Sequence, residues 1–288
     1  MRRKSAPYIF LLPVLIGMLV FSAGPILVSF ILSFTQWDMV SPPQWIGGGN
    51  YADIIASDLF WQVFRNTAYY AALAVPSTIA IALFLALAVN RKLKGIAIFR
   101  TAFFMPVVTS MVAVAIVWGW MYNPDYGLIN YLLHAWFNVR GPSWLQDPNW
   151  AMPAMAVVGV WKATGYNMII FLAGLQSIPD EYYEAARLDG ANRRQRLFSI
   201  TLPMLSPTIF FVLVVTLIGA FQLFEQTYIL TRGGPANATL TLSYFIFQNA
   251  FQFFRMGYAS ALAYVLFAVV FLLTLFQWRY QKKWVFYQ

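Results

Sequence analysis

Residues 67–89 read TAYYAALAVPSTIAIALFLALAV, an apolar run without one charged side chain. A hydrocarbon core about 30 Å thick is crossed by about 20 helical residues rising about 1.5 Å each. A backbone in lipid must also satisfy its own hydrogen bonds, which a helix does. The run therefore predicts a membrane-spanning helix. Working outward from it, the stretches 9–34, 101–122, 151–175, 204–229 and 258–278 meet the same criterion. The expected fold is an all-α polytopic membrane bundle with six transmembrane helices, a single transmembrane domain over residues 1–288.

Composition agrees. Of 288 residues 60% are hydrophobic and 10% charged, with a mean hydropathy of +0.64. Soluble domains carry about 25% charged residues, so the charges here are too few to cover a water-facing surface, and membrane lipid is the solvent the chain requires. There is no cysteine, which excludes disulfides and thiolate metal sites. The single histidine, His134, falls in a predicted loop and is read as a surface residue; no metal site and no catalytic residue is expected. The first apolar run follows Arg2, Arg3 and Lys4 but outlasts the roughly 7–15 apolar residues of a cleaved signal. It is read as a retained helix, bent at Gly24-Pro25.

The net charge of +9 does not point to nucleic acid, because the basic residues sit in short clusters between apolar runs. One side of the membrane receives Arg2, Arg3, Lys4, Arg91, Lys92, Lys94, Arg100, Arg187, Arg193, Arg194, Arg196, Arg279, Lys282 and Lys283; the other receives Arg65, Arg140, Arg232 and Arg255. Cytoplasmic loops carry the excess of Lys and Arg, so both termini are expected in the cytoplasm. Lys92 and Lys94 then lie inside, Asn50 and Asn237 outside. Trp37, Trp45, Trp61, Trp144 and Trp150 flank spans, where amphipathic rings favour the headgroup zone.

The cytoplasmic loop 177–203 contains IPDEYYEAARLDG at 178–190. Its chemistry predicts a short helix: Asp180 can cap it, Glu181 and Glu184 suit its positive N-terminal end, and Gly190 can terminate it in the left-handed conformation. Ala185 and Ala186 leave a low-relief face for close packing. Physics alone leaves two readings open, an amphipathic connector on the headgroups and a docking element.

A resemblance bears on that choice. Glu184-Ala185-Ala186, three residues, Gly190, nine residues, then Ile200-Thr201-Leu202-Pro203 resembles the EAA signature of permeases in binding-protein-dependent ABC importers. Further segments look like the carbohydrate branch of that family, similar to maltose and glycerol-phosphate permeases: Asn50-Tyr51, Asn66-Thr67, Pro106, Trp118, Gly127-Leu128-Ile129-Asn130, Gly165-Tyr166, Leu172-Ala173-Gly174-Leu175-Gln176, Gly233-Gly234-Pro235 and Gly257-Tyr258-Ala259. The likeness covers nearly the whole chain, without the large external domain or extra N-terminal spans of the maltose subunit. It implies a MetI-like permease fold in a bacterial or archaeal inner membrane. It also implies a second homologous permease as heterodimer partner, two cytoplasmic ATPase subunits and an extracytoplasmic solute-binding protein. Glu184, Ala185, Ala186, Asp189 and Gly190 would couple to the ATPase. The chain has no Gly-x4-Gly-Lys-Ser/Thr phosphate loop; it needs no cofactor of its own, and ATP would be bound by the partner.

Ionisable residues inside spans are costly and face a cavity or a partner. Two occur, Lys162 and Glu225. Lys162 lies about halfway through the fourth run beside Trp161, Tyr166 and Asn167. Gln222, Glu225 and Gln226 are spaced i, i+3, i+4, so they are expected to share one face of the outer half of the fifth span. Amides and carboxylates bond hydroxyls and rings pack on sugar faces, which suits a hydroxylated solute. Helix–helix hydrogen bonds, or a Lys162–Glu225 ion pair, remain open for the same residues; Thr109 and Ser110 are read as packing residues. The alternative functions are an ion-coupled secondary transporter, opposed by Glu225 being the only acid within a span, and an intramembrane enzyme, opposed by the lack of an Asp pair or Ser/His arrangement.

Overall fold

The computed structural model describes residues 6–91 and 94–286, with side chains of the first helix described from Phe10. Arg2, Arg3, Lys4 and Lys92, which the charge count places in the cytoplasm, lie outside the described residues. The chain is mostly helical. In order, the helices are α1 (Ala6–Met18), α2 (Gly24–Leu32), α3 (Gly49–Ala56), α4 (Asp58–Val89), α5 (Ile96–Val108), α6 (Met111–Met121) and α7 (Leu128–Phe137). They continue as α8 (Pro148–Gln176), α9 (Asp180–Leu188), α10 (Arg193–Arg196), α11 (Leu202–Phe221), α12 (Glu225–Leu230), α13 (Leu242–Phe247) and α14 (Met256–Gln281). A two-residue antiparallel ladder pairs β1 (Thr35–Gln36) with β2 (Gln44–Trp45).

Among the described residues, five helical stretches are long and apolar enough to cross a membrane, and a sixth crossing exists if one bent pair counts as a span. That pair corrects the expectation of one straight helix over 101–122. α5 and α6 meet at 98°, because Thr109 and Ser110 are extended, with ψ of 135° and 137°. Apolarity alone does not register two extended residues within a hydrophobic run. The fifth run lies within one candidate span, Arg193–Leu230, but its helix is interrupted: α11 ends at Phe221, and Gln222–Phe224 are non-helical before α12. His134 stands in α7 rather than a loop.

Prolines shape the long helices. α1 and α2 are joined by a π-helical turn, Leu19–Ala23, and α10 and α11 by another, Leu197–Thr201. In both, the amide just before a proline donates to the carbonyl five residues back: Gly24 to Leu19 and Leu202 to Leu197. A proline ring clashes with the carbonyl four residues earlier, and a widened turn gives it room. At Gly24-Pro25, where a bend is expected, the first π-helical turn passes into α2.

The chain divides into two compact units. The first comprises residues 1–61 and 245–268. Its centre is Asn50, whose Nδ2 donates to the carbonyls of Ser33 and Thr35, each at 2.9 Å. Gly257 sits so close to the Thr35 carbonyl that a Cβ there would lie 1.8 Å from the oxygen. Asn50 and Gly257, two of the family-like positions, are therefore a structural knot. In the adjoining turn the backbone amides of Ser41 and Val40 hold the Asp38 carboxyl below its ordinary range.

The second unit comprises residues 62–244 and 269–288, and α8 is its most buried long helix. Asp147 caps α8 by accepting from the Asn149 amide at 2.8 Å, with Pro148 at the first position, where its missing N–H costs nothing. Phe171, Met168 and Leu175 pack with Ala82 and Ala86 of α4 and Leu205 and Val212 of α11. Ala154 and Val158 pack with Met111 and Val114 of α6. Small residues let membrane helices approach closely: a Cβ on Gly165 would stand 2.2 Å from the Phe103 carbonyl of α5, and one on Gly174 2.6 Å from Thr208 Oγ1 of α11.

Candidate functional site

Within the second unit, α4, α5, α6, α8, α11 and α12 line an open cavity of about 680 Å³. Lys162, Tyr166, Asn167, Gln222, Glu225 and Gln226 all line it. Trp161 does not. It lines a separate apolar pocket of about 690 Å³ with Pro106 and Pro153 and meets Trp118 edge-on at 5.7 Å. Tyr70, Thr78, Thr216 and Phe224 also line the first cavity. Sequence reading missed them because none is charged and each lies among apolar neighbours or, for Phe224, is itself apolar.

Lys162 explains the bent pair. Its Nζ donates to the backbone carbonyls of Thr109 at 2.6 Å and Pro106 at 3.3 Å. The last carbonyls of a helix have no partner in their own helix and carry its negative end; here an ammonium from α8 supplies both the donors and the opposite charge. The ion-pair alternative is thereby corrected: among the described residues Lys162 takes carbonyl partners rather than Glu225. Thr109, read from sequence as packing, supplies one of the two carbonyls.

Gln226 is buried, with Nε2 donating to the Met155 carbonyl at 2.5 Å and Oε1 accepting from Tyr70 Oη at 3.2 Å. Gly159 is required for that pair, since a Cβ there would lie 2.1 Å from Tyr70 Oη. Asn167 Nδ2 donates to the Ala163 carbonyl of its own helix at 3.0 Å. Glu225, first residue of α12, and Gln222, at the end of α11, are exposed to the cavity. The helix break at Gln222–Phe224 voids the i, i+3, i+4 argument, yet the three residues still border one space. Such a wall offers hydrogen-bonding amides, a carboxylate and phenol rings, a set suited to a hydroxylated solute.

The loop 177–203 forms the second candidate element. Its helix, α9, starts after Pro179 rather than being capped by Asp180, which is its first residue and makes no side-chain cap. Proline presets the φ of that entry. The C-terminal end is as expected: Gly190 has φ +78°, its amide donates to the Arg187 carbonyl at 3.0 Å, and the Ala191 amide donates to Ala186 at 2.8 Å. These two bonds form a Schellman motif, which fixes the direction in which the chain leaves the helix. Glu184, Ala185 and Asp189 are exposed, Ala186 half-buried, and Leu188 is 90% exposed. Tyr183 Oη shares a 3.1 Å hydrogen bond with Thr201 Oγ1, tying α9 to the π-helical turn that leads into α11. The reciprocal Asn192–Gln195 capping box starts α10 between them.

Other family-like positions prove architectural. Asn66 Nδ2 donates to the carbonyls of Asn237 and Leu240 at 2.7 and 3.1 Å, and Thr67 Oγ1 accepts from the Leu242 amide at 3.0 Å. The segment around Gly233, which has φ +83°, is thus pinned to α4. Asn130 Oδ1 accepts from Trp144 Nε1 at 2.7 Å.

These features meet in one class of protein, and comparisons define it. Residues 69–284 match the family described as binding-protein-dependent transport system inner membrane component. A Bacillus subtilis relative, probable ABC transporter permease protein YesP, is 43% identical over 98% of this chain and 92% of its own length. The lactose transport system permease protein LacF of Rhizobium radiobacter is 38% identical over 94% and 92%. A solved bacterial alginate ABC transporter, in complex with alginate pentasaccharide-bound periplasmic protein, contains a chain 26% identical to this one, with a TM-score of 0.86 over 98% and 96% of the two. The chain belongs to the family of binding-protein-dependent transport system inner membrane components. It is a multi-pass membrane permease subunit of an ABC importer with the MetI-like permease fold, and not an ion-coupled secondary transporter.

Proposed function

We propose that this permease carries a sugar or sugar-like solute through a path walled by Lys162, Tyr166, Asn167, Gln222, Glu225 and Gln226. The observation that carries the proposal is the convergence of these residues on one cavity of solute size. The names of the relatives support the class: LacF serves lactose transport, and the alginate system imports an acidic polysaccharide.

The remaining path would come from a second homologous permease. The bent pair α5–α6 counts as one broken span, so the chain crosses six times with both termini in the cytoplasm. Irregular backbone at membrane depth is tolerated where protein or a cavity satisfies it, as Lys162 does here. Two ATPase subunits work from the cytoplasm and supply ATP binding and hydrolysis. One receives α9, against which Glu184, Ala185, Ala186, Asp189 and Gly190 present an exposed, low-relief face. A solute-binding protein delivers from outside. ATP-driven closure of the ATPase pair moves α9, and the Tyr183–Thr201 bond passes that motion to α11, whose far end borders the cavity.

The test is uptake of a panel of radiolabelled glycosides by cells with and without the gene. Loss of at least one glycoside, restored by the native chain and not by Glu184→Lys, is expected. Unchanged uptake of every glycoside on deletion overturns the proposal.

A further inference from the structure

The cavity contains two formal charges among its lining residues, Lys162 and Glu225, and the structure treats them differently. Lys162 directs two of its three ammonium donors to the Thr109 and Pro106 carbonyls. It thereby faces the negative end of α5, which offsets part of its charge. Glu225 is exposed to the cavity. The neighbouring Gln226 is committed to Met155 and Tyr70, so its amide is not available to Glu225. The ammonium of Lys162 is thus engaged by backbone carbonyls, whereas the Glu225 carboxylate faces the cavity.

We propose that Glu225 is a specificity-determining residue that makes this cavity admit uncharged, hydroxyl-rich solutes and disfavour those bearing a carboxylate, sulfonate or phosphate. The inference rests on the cavity being the solute path. Its physical basis is that like charges repel strongly where low-dielectric walls limit screening.

The test exploits the absence of cysteine. Val215→Cys places a thiol at the cavity wall in the complete importer complex in native membranes. Rates of modification are measured with three methanethiosulfonates: neutral hydroxyethyl, cationic trimethylammonioethyl and anionic sulfonatoethyl, each normalised to its rate on free mercaptoethanol. The expected result is a cationic-over-anionic preference of about tenfold or more, falling to about threefold or less when Glu225→Gln is added. Glu225→Asp should keep the preference, which separates charge from disturbed packing; co-purification of the ATPase reports assembly of each variant. Equal normalised rates in the parent, or a preference untouched by Glu225→Gln, overturn the assignment whatever solute the complex carries. A clear Glu225-dependent preference in a complex that imports no glycoside would instead uphold the charge assignment and overturn the sugar reading.

Discussion

Lys162 reaches from α8 to the Thr109 carbonyl at the end of α5, 2.6 Å away, and the two residues together hold the 98° break between α5 and α6. A break of that size in a membrane helix needs a donor for its freed carbonyls, since lipid supplies none. The ammonium is that donor.

Replacing it should therefore loosen the break. Lys162→Met leaves the Thr109 and Pro106 carbonyls without their partner, a loss of roughly 1–3 kcal/mol. The thermal midpoint of the purified complex should drop and transport should fall, while the complex still assembles. Lys162→Arg, which keeps charge and donors, should recover most of the midpoint. An unchanged midpoint in Lys162→Met would show that the break stands without the lysine.

The coupling element is tested at Gly190. At φ +78° a side chain costs about 1 kcal/mol or more, too little to unfold a membrane bundle and enough to re-aim a docking helix. Gly190→Asp also adds a negative charge beside Asp189 at the negative end of α9. Gly190→Asp and Glu184→Lys should reach the membrane in normal amount and lose either the ATPase subunit or stimulated hydrolysis. Normal retention of the ATPase together with normal stimulated hydrolysis and uptake in both would falsify the docking role.

Gly159 and Tyr70 should behave as a coupled pair. A Cβ at Gly159 would meet Tyr70 Oη at 2.1 Å, so Gly159→Ala must displace the ring and break its bond to Gln226; overpacking of this kind costs roughly 1–3 kcal/mol. Adding Tyr70→Phe removes the offending oxygen and should restore part of the stability. Strictly additive losses in a double-mutant cycle would rule out the contact.

Topology can be read with single cysteines. Lys94 and Asn237 are both exposed; Lys94→Cys should react with an impermeant maleimide only from the cytoplasm, Asn237→Cys only from outside. Asn50, the other external position that the charge count suggests, is buried against Ser33 and Thr35 and is unsuited to the probe. Reaction of Lys94→Cys from outside in sealed cells would invert or discard the six-span arrangement.

The runs that cross the membrane, the charge asymmetry of their loops and the Glu184–Gly190 helix with its left-handed stop could all be read from residues alone. Length, charge and glycine act locally, and each leaves its mark within a few residues of the chain. The EAA spacing likewise identified the family before any fold was known. Tertiary structure decided the rest. The break at Thr109–Ser110 is held by a lysine far along the chain, so an apolar count over 101–122 reads straight through it. The end of α11 at Phe221 is equally silent, because Gln222 through Gln226 suit a helix by spacing. Tyr70 and Thr216 lie in apolar runs and became cavity residues only when α4 and α11 were brought beside α8. Trp161, beside Lys162 in sequence, turned to another pocket, since adjacent residues on a helix point about 100° apart. Which side chains share a space depends on helix packing, and that packing rests here on Gly159, Gly165 and Gly174, where the absence of a side chain lets another backbone or hydroxyl come close.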